Sequence, residues 1–288
     1  MPLTEGGQMN RKSKLSVIGL SLPCVIVLLV LFVIPLAYVF VQMLQQDGLK
    51  YYQKFMTDPY YLKVLWNTVW ISLLCTGVCL LLGYPTAFFL ARTKSGMKNV
   101  LLIATIFPFL VSAVVRAYGW QVILGKKGLI NLFLQYFHII DKPLALMYTW
   151  KAVAAGMIHL LLPYMILSIA GVIQGIDPNV EYASYSLGGN RQETFFKVLL
   201  PLSAPGIITG CILVFTLSMT SYVTPQLLGG AKFVMMSTLV DTQINTLFNW
   251  SFASAISYIL LAFILIFQFI ANSGTRGIMT RLGGAKRV

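Results

Sequence analysis

The sequence predicts an all-α membrane protein of six transmembrane helices, and three observations carry that prediction. Only 10% of the 288 residues are charged while 58% are hydrophobic, against about 25% charged in a soluble domain. Mean hydropathy is +0.80. The charges are also gathered into short segments that leave six uncharged runs, each near or above the ~20 residues that cross ~30 Å of hydrocarbon.

In chain order the runs are 15–46, 64–91, 99–115, 152–176, 198–231 and 242–275. A charge at mid-bilayer costs about 2.5–3.5 kcal/mol, which accounts for the clean gaps. Helices are expected throughout, because an open sheet edge cannot face lipid. The first run is too long for a signal peptide and no small-residue cleavage site follows it, so a retained helix is expected. Run 99–115 is short and is expected to continue past Arg116 to Trp120. The apolar stretch 128–140 has 13 residues, which suits an interfacial or re-entrant helix better than a further span.

Six spans put both termini on one face. With the termini lie 92–98 and 177–203, and together these segments hold 12 of the 21 basic residues. Six of the seven arginines are among them, Arg116 being the exception. The positive-inside rule then makes that face cytoplasmic. The net charge of +13 is spread between apolar runs, which fits anionic headgroups of a lipid membrane rather than nucleic acid. Cys24, Cys75, Cys79 and Cys211 all fall inside apolar runs. They are too dispersed for a disulfide framework and lack a nearby acid or His to complete a metal site, so apolar packing is expected. No metal or cofactor is expected. Gly171/Gly175 and Gly206/Gly210 have GxxxG spacing, where helices can approach closely.

The segment after the fourth run departs from the rest in being polar and capped. Asp177 can cap a helix opening at Pro178, where the missing N–H costs nothing. Val180, Ala183 and Leu187 then share one face. Gly188-Gly189 ends the helix, since glycine tolerates the left-handed conformation. Asn190 with Glu193 three residues later reads as a second cap, opening a helix into Leu200-Pro201. Two readings are open: an amphipathic loop on the headgroups, or a docking element for a soluble partner.

Residues 177–201 resemble the cytoplasmic loop of binding-protein-dependent ABC importer permeases. In that family an acid and two small residues precede a glycine, and a hydrophobic-x-Leu-Pro sequence follows. Gly188, Val198 and Leu200-Pro201 hold that spacing here. Tyr182, Ala183 and Ser184 take the first positions, so the expected acid is a tyrosine and Glu181 stands one residue early. The resemblance extends over about 64–272. It includes Asn67-Thr68, Tyr84-Pro85 through Arg92, Pro108-Phe109, Arg116 through Trp120, Leu124-Gly125, Gly128 through Asn131, and Tyr222 through Gly230. These are similar to the spermidine/putrescine branch, which also serves opines and other small solutes.

The resemblance implies a type I ABC importer permease fold with a cytoplasmic coupling helix, in a bacterial inner membrane. It implies ATPase coupling by Glu181, Tyr182, Ala183, Ser184, Leu187, Gly188, Gly189 and Pro201. It also implies a second permease subunit, two cytoplasmic ATPase subunits and an exterior solute-binding protein as partners. The corresponding domain organisation is a cytoplasmic N-terminal segment (1–16), a first helix with exterior loop (17–63), the permease domain (64–272) and a basic cytoplasmic tail (273–288).

The fifth run carries Thr216, Thr220 and Thr224 at four-residue intervals, with Ser221 and Tyr222 adjacent. Residues so spaced stack on one helical face, giving a hydroxyl stripe for a wet path or for interhelical hydrogen bonds. Arg116 is expected either to snorkel to headgroups or to meet an anionic group, and His159 to make a structural hydrogen bond. No Asp or Glu lies within any run, which weakens a purely cationic path; Asp241 or a partner subunit would have to supply the charge.

Enzymatic sites are not apparent. The nearest approach to a phosphate loop, Gly119 to Gly125-Lys126-Lys127, has the wrong spacing and no Ser or Thr after the lysine, so ATP hydrolysis belongs on another chain. The alternative is an ion-coupled secondary transporter, which would normally show intramembrane ionisable residues and internal repeats.

Overall fold

The computed structural model describes residues 11–45, 48–93 and 96–283. Positions 1–10, 94–95 and 284–288, which entered the expected sidedness, lie outside the described residues. The chain runs α1 (Arg11–Gln45), α2 (Gly48–Thr57), α3 (Pro59–Arg92), α4 (Met97–Leu110), α5 (Ala113–Leu124), α6 (Leu129–Tyr136), α7 (Trp150–Gln174), α8 (Asn179–Ser186), α9 (Arg191–Thr194), a π-helical segment (Phe195–Leu199), α10 (Leu200–Thr220), α11 (Val223–Leu228), α12 (Met236–Asn245) and α13 (Trp250–Gly283). No strand occurs among the described residues.

Among the described residues, four helices are long and apolar enough to cross a membrane: Pro59–Arg92, Trp150–Gln174, Arg191–Thr220 and Trp250–Ser273. The pair Met97–Leu110 and Ala113–Tyr136, bent by 103°, makes a fifth if taken as one broken span. The first expected span coincides with α1, whose apolar stretch Val25–Val41 is shorter than the other spans.

Local chemistry sets the helix starts. Asp58 opens α3 by accepting from the Tyr60 amide at 2.9 Å, with Pro59 in the first turn. Thr149 opens α7 by accepting from the Ala152 amide at 3.3 Å. α7 is the central helix and packs against both α3 and α10. Their buried positions recur at helical spacing, as in Ile71, Cys75 and Cys79 of α3 and Met165, Ile169 and Ile173 of α7. Cys75 and Cys79 are core residues as expected, and burial agrees with their reading as small apolar side chains.

The two glycine pairs divide. A Cβ on Gly206 would lie 2.9 Å from Val172 Cβ and 3.0 Å from the Ser168 carbonyl, and one on Gly210 would lie 2.7 Å from Met165 Sδ. Gly206/Gly210 is therefore where α10 meets α7. Gly171 faces nothing within 4 Å, and a Cβ on Gly175 would touch only its own helix end, so that pair packs against no neighbour.

Three expectations need correction. The third span does not continue straight to Trp120 but breaks at Val111 and Ser112. α4 has 14 residues, roughly 21 Å of helix, too short to cross alone. The fifth span ends at Thr220. Pro225 cannot donate to the carbonyl four residues back and its ring would crowd it. That carbonyl, on Ser221, instead accepts from Ser237 Oγ at 2.5 Å. The sixth span begins at Trp250, because 242–245 belong to α12. The stretch 128–140 does hold the short helix α6 expected of it.

Candidate functional site

Two regions collect the sequence-derived residues: a corner at one end of the α3–α7–α10 core, and the broken end of α10 at the other.

The corner is built from caps. Asp177 Oδ1 accepts from the Asn179 amide at 2.9 Å, and Pro178 already has helical backbone angles before α8 proper. At the far end Gly188 has φ +86°. Its amide bonds Tyr185 O at 3.0 Å, and that of Gly189 bonds Ser184 O at 3.0 Å. This is the paired closure of a Schellman motif. Asn190 and Glu193 then form a reciprocal capping box: Glu193 N to Asn190 Oδ1 at 2.8 Å, Asn190 N to Glu193 Oε2 at 3.2 Å. The run from Arg191 continues through the π segment into α10. Pro201 stands two residues past that segment and lacks the N–H that would bond Lys197 O, so the looser register lies where the helix has already lost a bond.

α8 buries none of its residues. Leu187, which caps it, is 89% exposed and Tyr182 65% exposed. Val180, Ala183 and Leu187 line one face of an open groove of about 510 Å³, with Val198 across it. Ser184 Oγ hydrogen-bonds Thr194 Oγ1 at 2.9 Å, tying α8 to α9. Glu181 turns inward: its Oε1 lies 2.7 Å from Arg92 Nη2. Arg92 Nη1 also donates to Ile176 O at 3.0 Å. Sequence reasoning counted Arg92 only as a cytoplasmic charge. The available signal was Glu181 standing one position early, which is about 100° around a helix.

At the opposite end the hydroxyl stripe is not continuous. Thr216 and Thr220 lie on α10, Ser221 and Tyr222 form the break, and Thr224 lies on α11, buried at 5% exposure. Thr220 Oγ1 bonds Thr216 O at 3.0 Å. Thr224 and Leu228 pack on Gly156 of α7, where an added Cβ would lie 2.8 and 2.5 Å from them. The three threonines therefore do not share one helical face. Instead the break presents Ser221, half-buried, beside Tyr222, 37% exposed. Burial and then the neighbouring Asp241 carboxylate push the pKa of the Tyr222 hydroxyl up, and Asp241 Oδ1 accepts from Asn245 Nδ2 at 2.7 Å.

The remaining motif residues prove to be fasteners. Asn67 Nδ2 donates to Val234 O at 3.5 Å, and Thr68 Oγ1 accepts from the Met236 amide at 2.8 Å. Tyr84 and Ser203 hydroxyls meet at 3.0 Å between α3 and α10. Asn131, fully buried, bonds Gly125 O and Leu144 O and N at 2.8–3.0 Å, organising the loop around α6. His159 Nδ1 accepts from Trp120 Nε1 at 3.3 Å, the structural bond expected of it. Arg116 also has a partner within the chain. Its guanidinium donates to Pro108 O, near the end of α4, where a cation favourably meets the last carbonyls.

A core of α3, α7 and α10, broken spans beside it, and a capped exposed helix at one end define a helical membrane permease domain. The same fold occurs in a bacterial alginate ABC transporter solved with an alginate pentasaccharide-bound periplasmic protein. Its TM-score is 0.75 at 17% identity, covering 93% of this chain and 96% of that one. Residues 79–276 match the family described as binding-protein-dependent transport system inner membrane component, and the chain belongs to that family. Among its relatives is the spermidine/putrescine transport system permease protein PotB of Haemophilus influenzae. It is 35% identical over 243 residues, covering 81% of this chain and 85% of the relative. PotB of Escherichia coli is 35% identical over 202 residues, covering 70% and 74%. The chain is thus an inner-membrane, multi-pass permease subunit of an ABC importer, and the ion-coupled alternative is not supported.

Proposed function

We propose that this permease serves a small cationic solute of the polyamine type, and that α8 is the helix by which a cytoplasmic ATPase drives it. The complete importer then holds a second permease subunit, two ATPase subunits and an exterior solute-binding protein. Both termini face the cytoplasm, and this chain hydrolyses no ATP itself. The domain boundaries are kept as expected from the sequence, with 64–272 as the permease body; the family match, 79–276, overlaps most of it and runs four residues past its end.

The observation that carries the docking role is α8 itself. A helix without a buried residue, closed by glycine at one end and capped at the other, keeps Leu187, Tyr182 and Val180 uncovered. Apolar side chains so displayed favour a protein partner. Glu181, Ser184, Gly188, Gly189 and Pro201 hold the helix, while Tyr182, Ala183 and Leu187 meet the partner.

The solute path runs past Thr216, Thr220, Ser221 and Tyr222, with Thr224 packing behind them. Asp241 supports a cationic solute: it is an acid neighbouring Tyr222 at the break in α10.

The test is site-directed cross-linking in the assembled importer. Leu187→Cys should form a cross-link to the ATPase subunit, and vesicles should take up spermidine only with ATP. A Leu187→Cys side chain that reacts with solvent probes but never with the ATPase would sink the docking role.

A further inference from the structure

We infer that Arg92 is the positioning residue through which the coupling helix moves α3. The inference rests on the docking of α8 proposed above and assigns its internal linkage. Besides its covalent link to α7 through 175–178, α8 has two routes into the core. One is through α9 and the π segment to α10, secured by the Ser184–Thr194 hydrogen bond of 2.9 Å. The other is the Arg92 guanidinium, which grips Glu181 at 2.7 Å and Ile176 O at 3.0 Å. One planar group thereby joins the last turn of α3, the chain just past α7, and α8.

The geometry favours a mechanical role over a surface pair. The Arg92 and Glu181 side chains are 19% and 15% exposed, so water screens them far less than an open pair. Guanidinium is suited to such a junction because one charged plane donates to the Ile176 carbonyl while pairing by charge with the Glu181 carboxylate. Tyr182, the next residue, is 65% exposed. The corner thus divides its labour by angle: Tyr182 points outward to a partner, Glu181 inward to α3. Displacement of α8 pulls α10 through the chain and α3 through the ion pair, so both helices flanking α7 move together.

The assembled importer tests this with nitroxide labels at exposed Ser186 on α8 and Leu82 on α3. In the wild-type complex their separation should be the same without nucleotide and after vanadate trapping with ATP. In Arg92→Gln it should differ between the two states. Uptake of spermidine per ATP hydrolysed should fall roughly fivefold or more in Arg92→Gln and in Glu181→Gln. The double variant should be no worse than either single one, and Arg92→Lys should recover part of the loss. A wild-type separation that changes on trapping, or additive losses in the double variant, overturns the linkage. If Leu187→Cys still cross-links to the ATPase while Arg92→Gln keeps full coupling, docking stands and this inference alone fails. Absence of the cross-link would remove both.

Discussion

Gly188 offers a perturbation whose size can be worked from backbone geometry alone. Its φ of +86° lies where L side chains are rarely found, and an added Cβ would meet nothing within 4 Å. A substitution there acts through conformation, without steric contact to a neighbour. The left-handed region costs an ordinary L residue about 1–2 kcal/mol, and asparagine much less. At 1.4 kcal/mol per decade, valine should lower the closed-to-open equilibrium constant of the corner by roughly five- to thirtyfold. α8 buries nothing, so the loss stays local and the spans keep their stability. Amide hydrogen exchange at 185–189 should accelerate by that factor in Gly188→Val and much less in Gly188→Asn, with uptake per ATP falling in the same order. Equal exchange in the two variants, or unchanged exchange in Gly188→Val, would refute the reasoning.

Three further outcomes are expected. Gly206→Ala should lower thermal stability in detergent by about 1–3 kcal/mol, because its Cβ would press on the Ser168 carbonyl and Val172. Gly171→Ala, facing open space, should be neutral or gain about 0.5–1 kcal/mol, and a loss there would contradict the packing described. Thr220→Leu should reduce uptake while leaving insertion and ATPase assembly intact; normal uptake would remove Thr220 from the path. Asp241→Asn should weaken spermidine uptake without altering ATP hydrolysis in the absence of solute, and undiminished uptake would exclude Asp241 from cation recognition.

Much of the coupling corner was legible because caps are local chemistry. Asp177, Gly188 and the Asn190–Glu193 box act within four residues of themselves, so sequence spacing specifies them. The spans were legible from charge exclusion, though their breaks were not. Thr216, Thr220 and Thr224 have helical spacing, yet the helix stops between the second and third. Pro225 was the available sign, since its partner four residues back is Ser221. Arg92 was not legible as a linker because its meaning depends on Glu181, 89 positions on in the chain. The Arg116 contact with Pro108 was hidden for a similar reason: the carbonyl it caps is free because α4 ends at a bend that local propensity does not announce.

The π-helical stretch 195–199 has a consequence for how this protein tolerates change. Such a segment holds one residue more than a regular helix needs over the same length. Removing a single residue there would restore ordinary winding while leaving everything before it on nearly the same face of α10, because the wide turn already absorbs the extra residue. The stretch between α8 and the buried part of α10 can thus lose one position without re-aiming α8 or disturbing a contact inside the bilayer.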